Sequence, residues 1–171
     1  MGKIHVLSSE VSNKIAAGEV VERPSSVIKE LVENSIDAGA TLISVEIKKG
    51  GSIYMRVSDN GSGMSEEDAK ICFLRHATSK VQTSSDLDAI YTLGFRGEAL
   101  SSIGAVAEVE LFTKRHEDET GVCVTCKGGE ILSSDEEGIP DGTSILVENL
   151  FFNTPARRKS VSYTHLTLPT T

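Results

Sequence analysis

The sequence predicts an α/β (α+β) fold: a two-layer sandwich of a mixed, mainly antiparallel sheet with helices on one face. Three observations predict it. Residues 24–39, PSSVIKELVENSIDAG, read as one amphipathic helix. Residues 41–58 alternate apolar and polar side chains on either side of Gly50-Gly51, the pattern of a hairpin with one packed face. Alternating runs recur at 106–114, 121–127 and 144–150, separated by glycine turns and interleaved with helical stretches, so helices and antiparallel strands share one core.

The elements follow in order. Residues 1–22 form an N-terminal arm, with a short helix over Val11 to Val21 interrupted by Gly18. Pro24 suits the first position of the next helix, because its missing N–H has no partner there anyway, and Gly39 suits the left-handed residue past its end. At about 100° per residue, Val27, Ala38, Leu31, Ile28, Val32 and Ile36 sweep out its apolar arc. Glu30, Asn34 and Asp37 share a stripe on that arc's rim, within roughly 60°. In the hairpin, Ile43, Val45 and Ile47 share one face, and Ile53, Met55 and Val57 point inward. The second strand runs into Asp59-Asn-Gly-Ser-Gly-Met64. Ser65 caps a helix over Glu66 to Arg75, with Asp68 at the reciprocal position, and that helix buries Ala69, Cys72 and Phe73. His76 to Asp86 is a polar loop, Leu87 to Leu93 a short apolar piece, and Gly94-Phe-Arg-Gly97 leads into a helix from Glu98. Strands follow at Val106 to Lys114, Gly121 to Lys127 and Ser144 to Leu150, with only a brief apolar pair at Ile131-Leu132. The expected domain thus runs over 23–150. Residues 151–159, FFNTPARRK, read as the start of a connection to a second domain, and 160–171 as a foreign-looking or disordered tail.

Composition narrows the class. A chain of 171 residues can bury one domain's core, or one domain and the start of another. With 39% hydrophobic and 25% charged residues it has the make-up of a soluble globular protein. No run reaches the roughly 18 apolar residues of a membrane span, and the N-terminus lacks the features of a secretory signal, so the cytoplasm is the expected compartment. Val6 stands where myristoylation wants Ser or Thr. A net charge of −8 argues against a general electrostatic grip on nucleic acid. DNA contact would need a local patch such as Arg157, Arg158 and Lys159, or a second copy of the chain. The three cysteines read as free thiols. Cys123 and Cys126 have C-x-x-C spacing, but on a strand such positions point to opposite faces.

Chemistry concentrates in a few places. The Glu30, Asn34, Asp37 stripe fits either a solvated helix edge or the wall of a site, with a carboxylate as base and an amide oxygen for a hard cation. Asp59-x-Gly61-x-Gly63 lies between a strand and a helix, where an aspartate can accept a hydrogen bond from an exocyclic amine; a capped glycine turn reads the same way. Gly94-x-x-Gly97 at a helix start can present backbone N–H groups to phosphates. No G-x-x-x-x-G-K-[ST] occurs, which excludes a P-loop.

In order along the chain, Glu30-x-x-x-Asn34-x-x-Asp37-Ala38, Asp59-x-Gly61-x-Gly63, GFRGEAL (94–100) and Gly142-Thr143 resemble the GHKL ATPase superfamily of gyrase B subunits, Hsp90, histidine kinases and MutL. Lys14 to Pro24 (KIAAGEVVERP), Arg75 to Lys80 (RHATSK), GFRGEAL and FFNTPARRK narrow the resemblance to the bacterial MutL family of DNA mismatch-repair proteins, over about residues 4–159. The resemblance implies the GHKL (Bergerat) fold, ATP and Mg²⁺ as ligands, and a role for each matched residue. Glu30 would be the general base, Asn34 the Mg²⁺ ligand and Asp37 its support. Asp59 would take the adenine amine, with Ala38, Gly61, Gly63, Met64 and Thr143 around the base. Thr78, Ser79, Lys80, Gly94, Phe95, Arg96, Gly97, Glu98, Ala99 and Leu100 would form the lid and phosphate cradle. Asp37 also reads as a salt-bridge partner, and Lys80 as a solvated loop cation. The family further implies slow ATP hydrolysis acting as a timer, lid ordering, an ATP-dependent homodimer, and mismatch-recognition (MutS-type) and DNA partners. MutL proteins take a catalytic lysine from a second domain, and that lysine lies beyond this chain. The alternative reading is therefore an ATP-gated binding or scaffold module with little or no turnover.

Overall fold

A computed structural model describes residues 23–51, 53–74 and 99–154. Helix α1 (Pro24–Asp37) leads to strand β1 (Ile43–Lys48), a 3-10 turn (Lys49–Gly51) and β2 (Tyr54–Asp59). Helices α2 (Glu66–Ile71) and α3 (Ala99–Val106) precede β3 (Glu108–Lys114), β4 (Gly121–Lys127), β5 (Glu130–Glu137) and β6 (Gly142–Glu148). The six strands form one sheet in the order β1-β2-β6-β3-β4-β5. Every pairing is antiparallel, so the mainly antiparallel sheet expected from sequence has no parallel pair among the described strands. β6, last in sequence, inserts between β2 and β3 and brings Gly142-Thr143 beside the end of β2.

The core lies between the sheet and the helices. Val27 and Leu31 of α1, Ala69 and Phe73 around α2, and Ile103 and Val106 of α3 pack over Met55, Val57, Val109, Leu111, Val124, Ile145 and Val147. Fully burying a side chain such as Leu31, Met55 or Leu111 contributes about 1.5–3 kcal/mol. The core continues into the segment after β6, where Leu150 and Phe151 are buried. That segment closes the end of α3: Phe151 N–H donates to the Val106 carbonyl at 2.6 Å, and Asn153 Nδ2 to that of Ala105 at 2.8 Å. Helix termini leave their last carbonyls without intrahelical partners, so these contacts tie the segment to the domain.

Several local expectations hold. Pro24 sits at the start of α1, and Gly39 takes φ +75° just past its end. Ser65 Oγ accepts from the Asp68 N–H at 3.1 Å as the N-cap of α2. Cys126 is buried while Cys123 is half-exposed, as alternation on β4 requires.

Others need correction. On α1, Ser35 is buried and Ile36 is 46% exposed, so the buried arc is turned away from the one the apolar residues trace. The reason is a polar anchor on β2, described below. The apolar face of β1 packs on the core only at Ile43: Val45 and Ile47 are exposed, as is Ile53, although Val45 and Ile47 pair directly with buried Val57 and Met55. β1 is an edge strand, and the helix layer centres on its inner neighbours. The brief piece expected at Ile131-Leu132 is an eight-residue strand, β5. It forms the other edge and pairs with β4 through backbone, so it carries no alternating apolar pattern to read. α2 ends at Ile71, earlier than expected, and Cys72 is half-buried. The expected short helix of the arm, the loop over 76–86, the apolar piece over 87–93 and the basic cluster at 157–159 lie outside the described residues.

Candidate functional site

Asp59 ends β2, where it pairs in register with Thr143 of β6. Three donors converge on its half-buried carboxylate. Ser35 Oγ of α1 donates to Oδ2 at 2.6 Å, and Gly61 N–H to Oδ1 at 2.8 Å. Thr143 N–H donates to Oδ1 at 3.3 Å. A carboxylate offers roughly four acceptor positions, so these bonds fix its orientation and still leave room for one more donor. The Ser35 bond also explains the rotation of α1: it draws that face of the helix onto the end of β2.

The loop after Asp59 is bound on both sides. Asn60 Oδ1 accepts from the N–H groups of Thr41 and Leu42 at 2.8 and 2.9 Å. Ser62 N–H donates to the Ala38 carbonyl at 2.9 Å, tying the loop to the end of α1. Gly63 has φ +68°, and a Cβ there would run into the Lys114 carbonyl, so this position requires glycine twice over. Met64 N–H then donates to Thr113 Oγ1 at 2.8 Å. Thr113 in turn lies 2.9 Å from the Thr143 hydroxyl and 3.2 Å from the Gly142 carbonyl. Asp59, Thr143 and Thr113 therefore stand in one row across β2, β6 and β3.

Of the residues singled out from sequence, Ala38, Asp59, Gly61, Gly63, Met64 and Thr143 gather in this cluster. Glu30, Asn34 and Asp37 lie along the helix that joins it; Glu30 is 4% exposed, Asn34 half-buried and Asp37 exposed. Ala99, buried, and Leu100, half-buried, open α3. Thr78, Ser79, Lys80, Gly94, Phe95, Arg96, Gly97 and Glu98 lie outside the described residues. Two polar residues of the cluster escaped the sequence reading: Ser35 and Thr113. Thr113 had a readable signal, as the polar residue continuing the inward row of Val109 and Leu111 on β3.

The surroundings carry charge of both signs. Lys114 Nζ donates to Asp141 Oδ1 at 2.6 Å, and His116 Nδ1 lies 2.9 Å from Oδ2. Hydrogen bonds from Lys114, then His116, hold the Asp141 carboxyl below its ordinary range. Arg115 forks onto Asp118 at 2.9 and 3.0 Å, which holds the Asp118 carboxyl low. Both basic chains at the end of β3 are thus engaged by acids. A groove of about 590 Å³ adjoins the cluster through Met64 and Thr113. Glu66, Glu67, Asp118, Glu119 and Glu136 line it against Lys70 and Arg115, a poor setting for a polyanion. Burial pushes the thiol of Cys72 up to about 12 and that of Cys126 up to about 11, so neither is a nucleophile near neutrality.

Residues 22–158 match the family described as histidine kinase-, DNA gyrase B- and HSP90-like ATPase. Over 159 residues the chain is 55% identical to the DNA mismatch repair protein MutL of Acidobacterium capsulatum, covering 93% of this chain and 24% of that protein. The chain therefore spans about a quarter of the length of the curated relatives it matches. A crystal structure of the N-terminal domain of a DNA repair protein superimposes with a TM-score of 0.74 at 36% identity, over 89% of this chain and 43% of that one. The Aquifex aeolicus MutL ATPase domain complexed with ADP gives a TM-score of 0.63 at 35% identity, over 86% of this chain and 51% of that one.

Proposed function

Because the chain belongs to the histidine kinase-, DNA gyrase B- and HSP90-like ATPase family, we propose that it binds ATP and hydrolyses it slowly as the nucleotide-binding part of a mismatch-repair protein. The observation that carries this reading is the Asp59 carboxylate, oriented by Ser35, Gly61 and Thr143 with an acceptor position to spare. An exocyclic amine such as that of adenine fits it. The ADP complex of the Aquifex aeolicus relative supports a nucleotide as the ligand.

The triphosphate would lie away from the acidic groove, at the first turn of α3. The backbone N–H groups of Ala99 and Leu100 suit phosphate oxygens there, with Gly94 to Glu98 completing the cradle and Thr78, Ser79 and Lys80 the lid. Asn34 would hold Mg²⁺. One amide oxygen, together with phosphate and water oxygens, suits a hard ion that keeps much of its own shell. When bound, the ion offsets the phosphate charge. Glu30, buried on the same stripe one helical turn earlier, would orient water and hold its proton, and Asp37 would support Asn34 from the exposed end. Residues 1–22 would act as an arm that orders with the lid and supports a homodimer, 23–150 as the ATP-binding domain, 151–159 as the start of a connection to a second domain, and 160–171 as a foreign-looking or disordered tail. Mismatch-recognition and DNA partners, and a cytoplasmic setting, follow from the relatives' role; no described helix is long and apolar enough to cross a membrane.

The test is ATP turnover and ATP affinity of Glu30→Ala against wild type. Hydrolysis falls by about 100-fold or more while affinity changes by less than about threefold. Equal loss of both would count against Glu30 as the base. Binding with no turnover in wild type would favour the second reading, an ATP-gated binding module.

A further inference from the structure

Helix α3 is a weak helix by sequence. ALSSIGAV has eight residues, fewer than the roughly 12–15 an isolated helix needs in water. Gly104 in its interior weakens it further, and a Cβ there would stand 3.0 Å from Cys126 Sγ and 3.1 Å from Phe73. The order of α3 therefore comes from what surrounds it.

Its C-terminal end is closed from two sides. The Gly104 carbonyl accepts from the Gly129 N–H at 2.8 Å, and the Ala107 carbonyl from that of Gly128 at 3.3 Å, both in the turn between β4 and β5. Between them, the Val106 carbonyl takes the Phe151 N–H at 2.6 Å and the Ala105 carbonyl takes Asn153 Nδ2 at 2.8 Å. Of these donors Asn153 alone is a side chain. Its Oδ1 is buried and finds no donor among the described residues, so the amide is placed for its donor end. The turn that carries it is held in an unfavourable shape: Asn149 and Phe151 have φ +51° and +63°, a region that bulky residues avoid. Such a backbone persists only where its surroundings hold it. Asn153 meets α3 at the end away from Ala99 and Leu100, where the helix runs on into β3.

We propose that Asn153 is a positioning residue for the phosphates: by holding the last turn of α3 it keeps the first turn, Ala99 and Leu100, ordered for phosphate oxygens. This rests on the phosphate assignment above. Helix order is cooperative, so in a helix of about two turns a loose last turn frays the first. Apparent affinity then falls with the fraction of molecules in which the helix is complete. The linkage is reciprocal: phosphate on the first turn tightens the contacts on the last.

The experiment is calorimetric titration of the full chain with ADP and with adenosine, which shares the base and lacks the phosphates. Asn153→Ala should bind ADP roughly 3- to 10-fold more weakly, the worth of one neutral hydrogen bond, and bind adenosine as wild type does. Asn153→Asp should lose more ADP affinity than Asn153→Ala, because a carboxylate cannot donate to the Ala105 carbonyl and sets a negative charge at the negative end of α3. Loss shared equally by ADP and adenosine makes Asn153 merely structural and overturns the proposal. Where wild type prefers ADP and Asn153→Ala keeps that preference in full, this inference alone falls. If the variants do not fold, amide exchange in wild type decides: ADP should slow exchange of the Phe151 N–H more than saturating adenosine does, and equal protection overturns the proposal. Wild type that binds ADP no more tightly than adenosine overturns the phosphate assignment together with this inference. Wild type that binds neither overturns the adenine reading as well.

Discussion

At the scale of single residues, the site is a problem of satisfying donors and acceptors. Asp59 is held by a hydroxyl, a loop amide and a strand amide from three different elements. Ser35 is the tightest of these at 2.6 Å and comes from the buried face of α1. Hydrogen bonds to a charged group contribute about 1.5–3 kcal/mol. Ser35→Ala is therefore expected to lower stability by about that amount in urea unfolding, and to weaken ADP binding as the carboxylate loses its fixed orientation. Unchanged stability would mean that the bond is not formed in solution. Ser35 was hard to read from sequence because its partner lies 24 residues away on a strand. The flanking Asn34 and Asp37 were legible because their stripe on one helix is a purely local property. Thr113 was hidden by the same kind of distance, its hydroxyl partner lying 30 residues further along the chain.

At the scale of elements, signals contained in a short window were read more accurately than those set by distant partners. Pro24, Gly39 and Ser65 set helix ends through backbone chemistry that a short window contains. Strand β4 runs over the expected residues because its buried positions alternate. β5 was missed because an edge strand is specified by its partner's backbone. The exposure of Val45 and Ile47 could not be read either, since alternation marks a face and not whether anything covers it. The join between β3 and β6 carries a charge-dependent clasp, Lys114 with Asp141. The Asp141 carboxyl is held below its ordinary 3.8, so its contribution to stability is present above that value and is lost as pH falls through the lower folded-state value. Asp141→Asn should therefore lower the melting temperature near about pH 6, with the difference from wild type shrinking as pH drops below about 4. A difference that persists unchanged into that acid range would place the effect elsewhere than in this carboxylate.

At the scale of the whole molecule, the fold is a sheet that collects distant residues at one end. β6 brings Thr143 between Asp59 and Thr113, and α1 reaches that end through Ser35. A net charge of −8 argues against a general electrostatic grip on DNA. The central claim is that the Asp59 platform selects an adenine nucleotide. Titrating wild type and Asp59→Ala with ADP and GDP, read by thermal shift and calorimetry, tests it most directly. Wild type should bind ADP on the order of 100-fold more tightly than GDP. At about 100 times its Kd, ADP should stabilise the chain by about 2.7 kcal/mol, and Asp59→Ala should lose both effects. Equal affinity for the two nucleotides, or undiminished ADP binding by Asp59→Ala, would contradict the account.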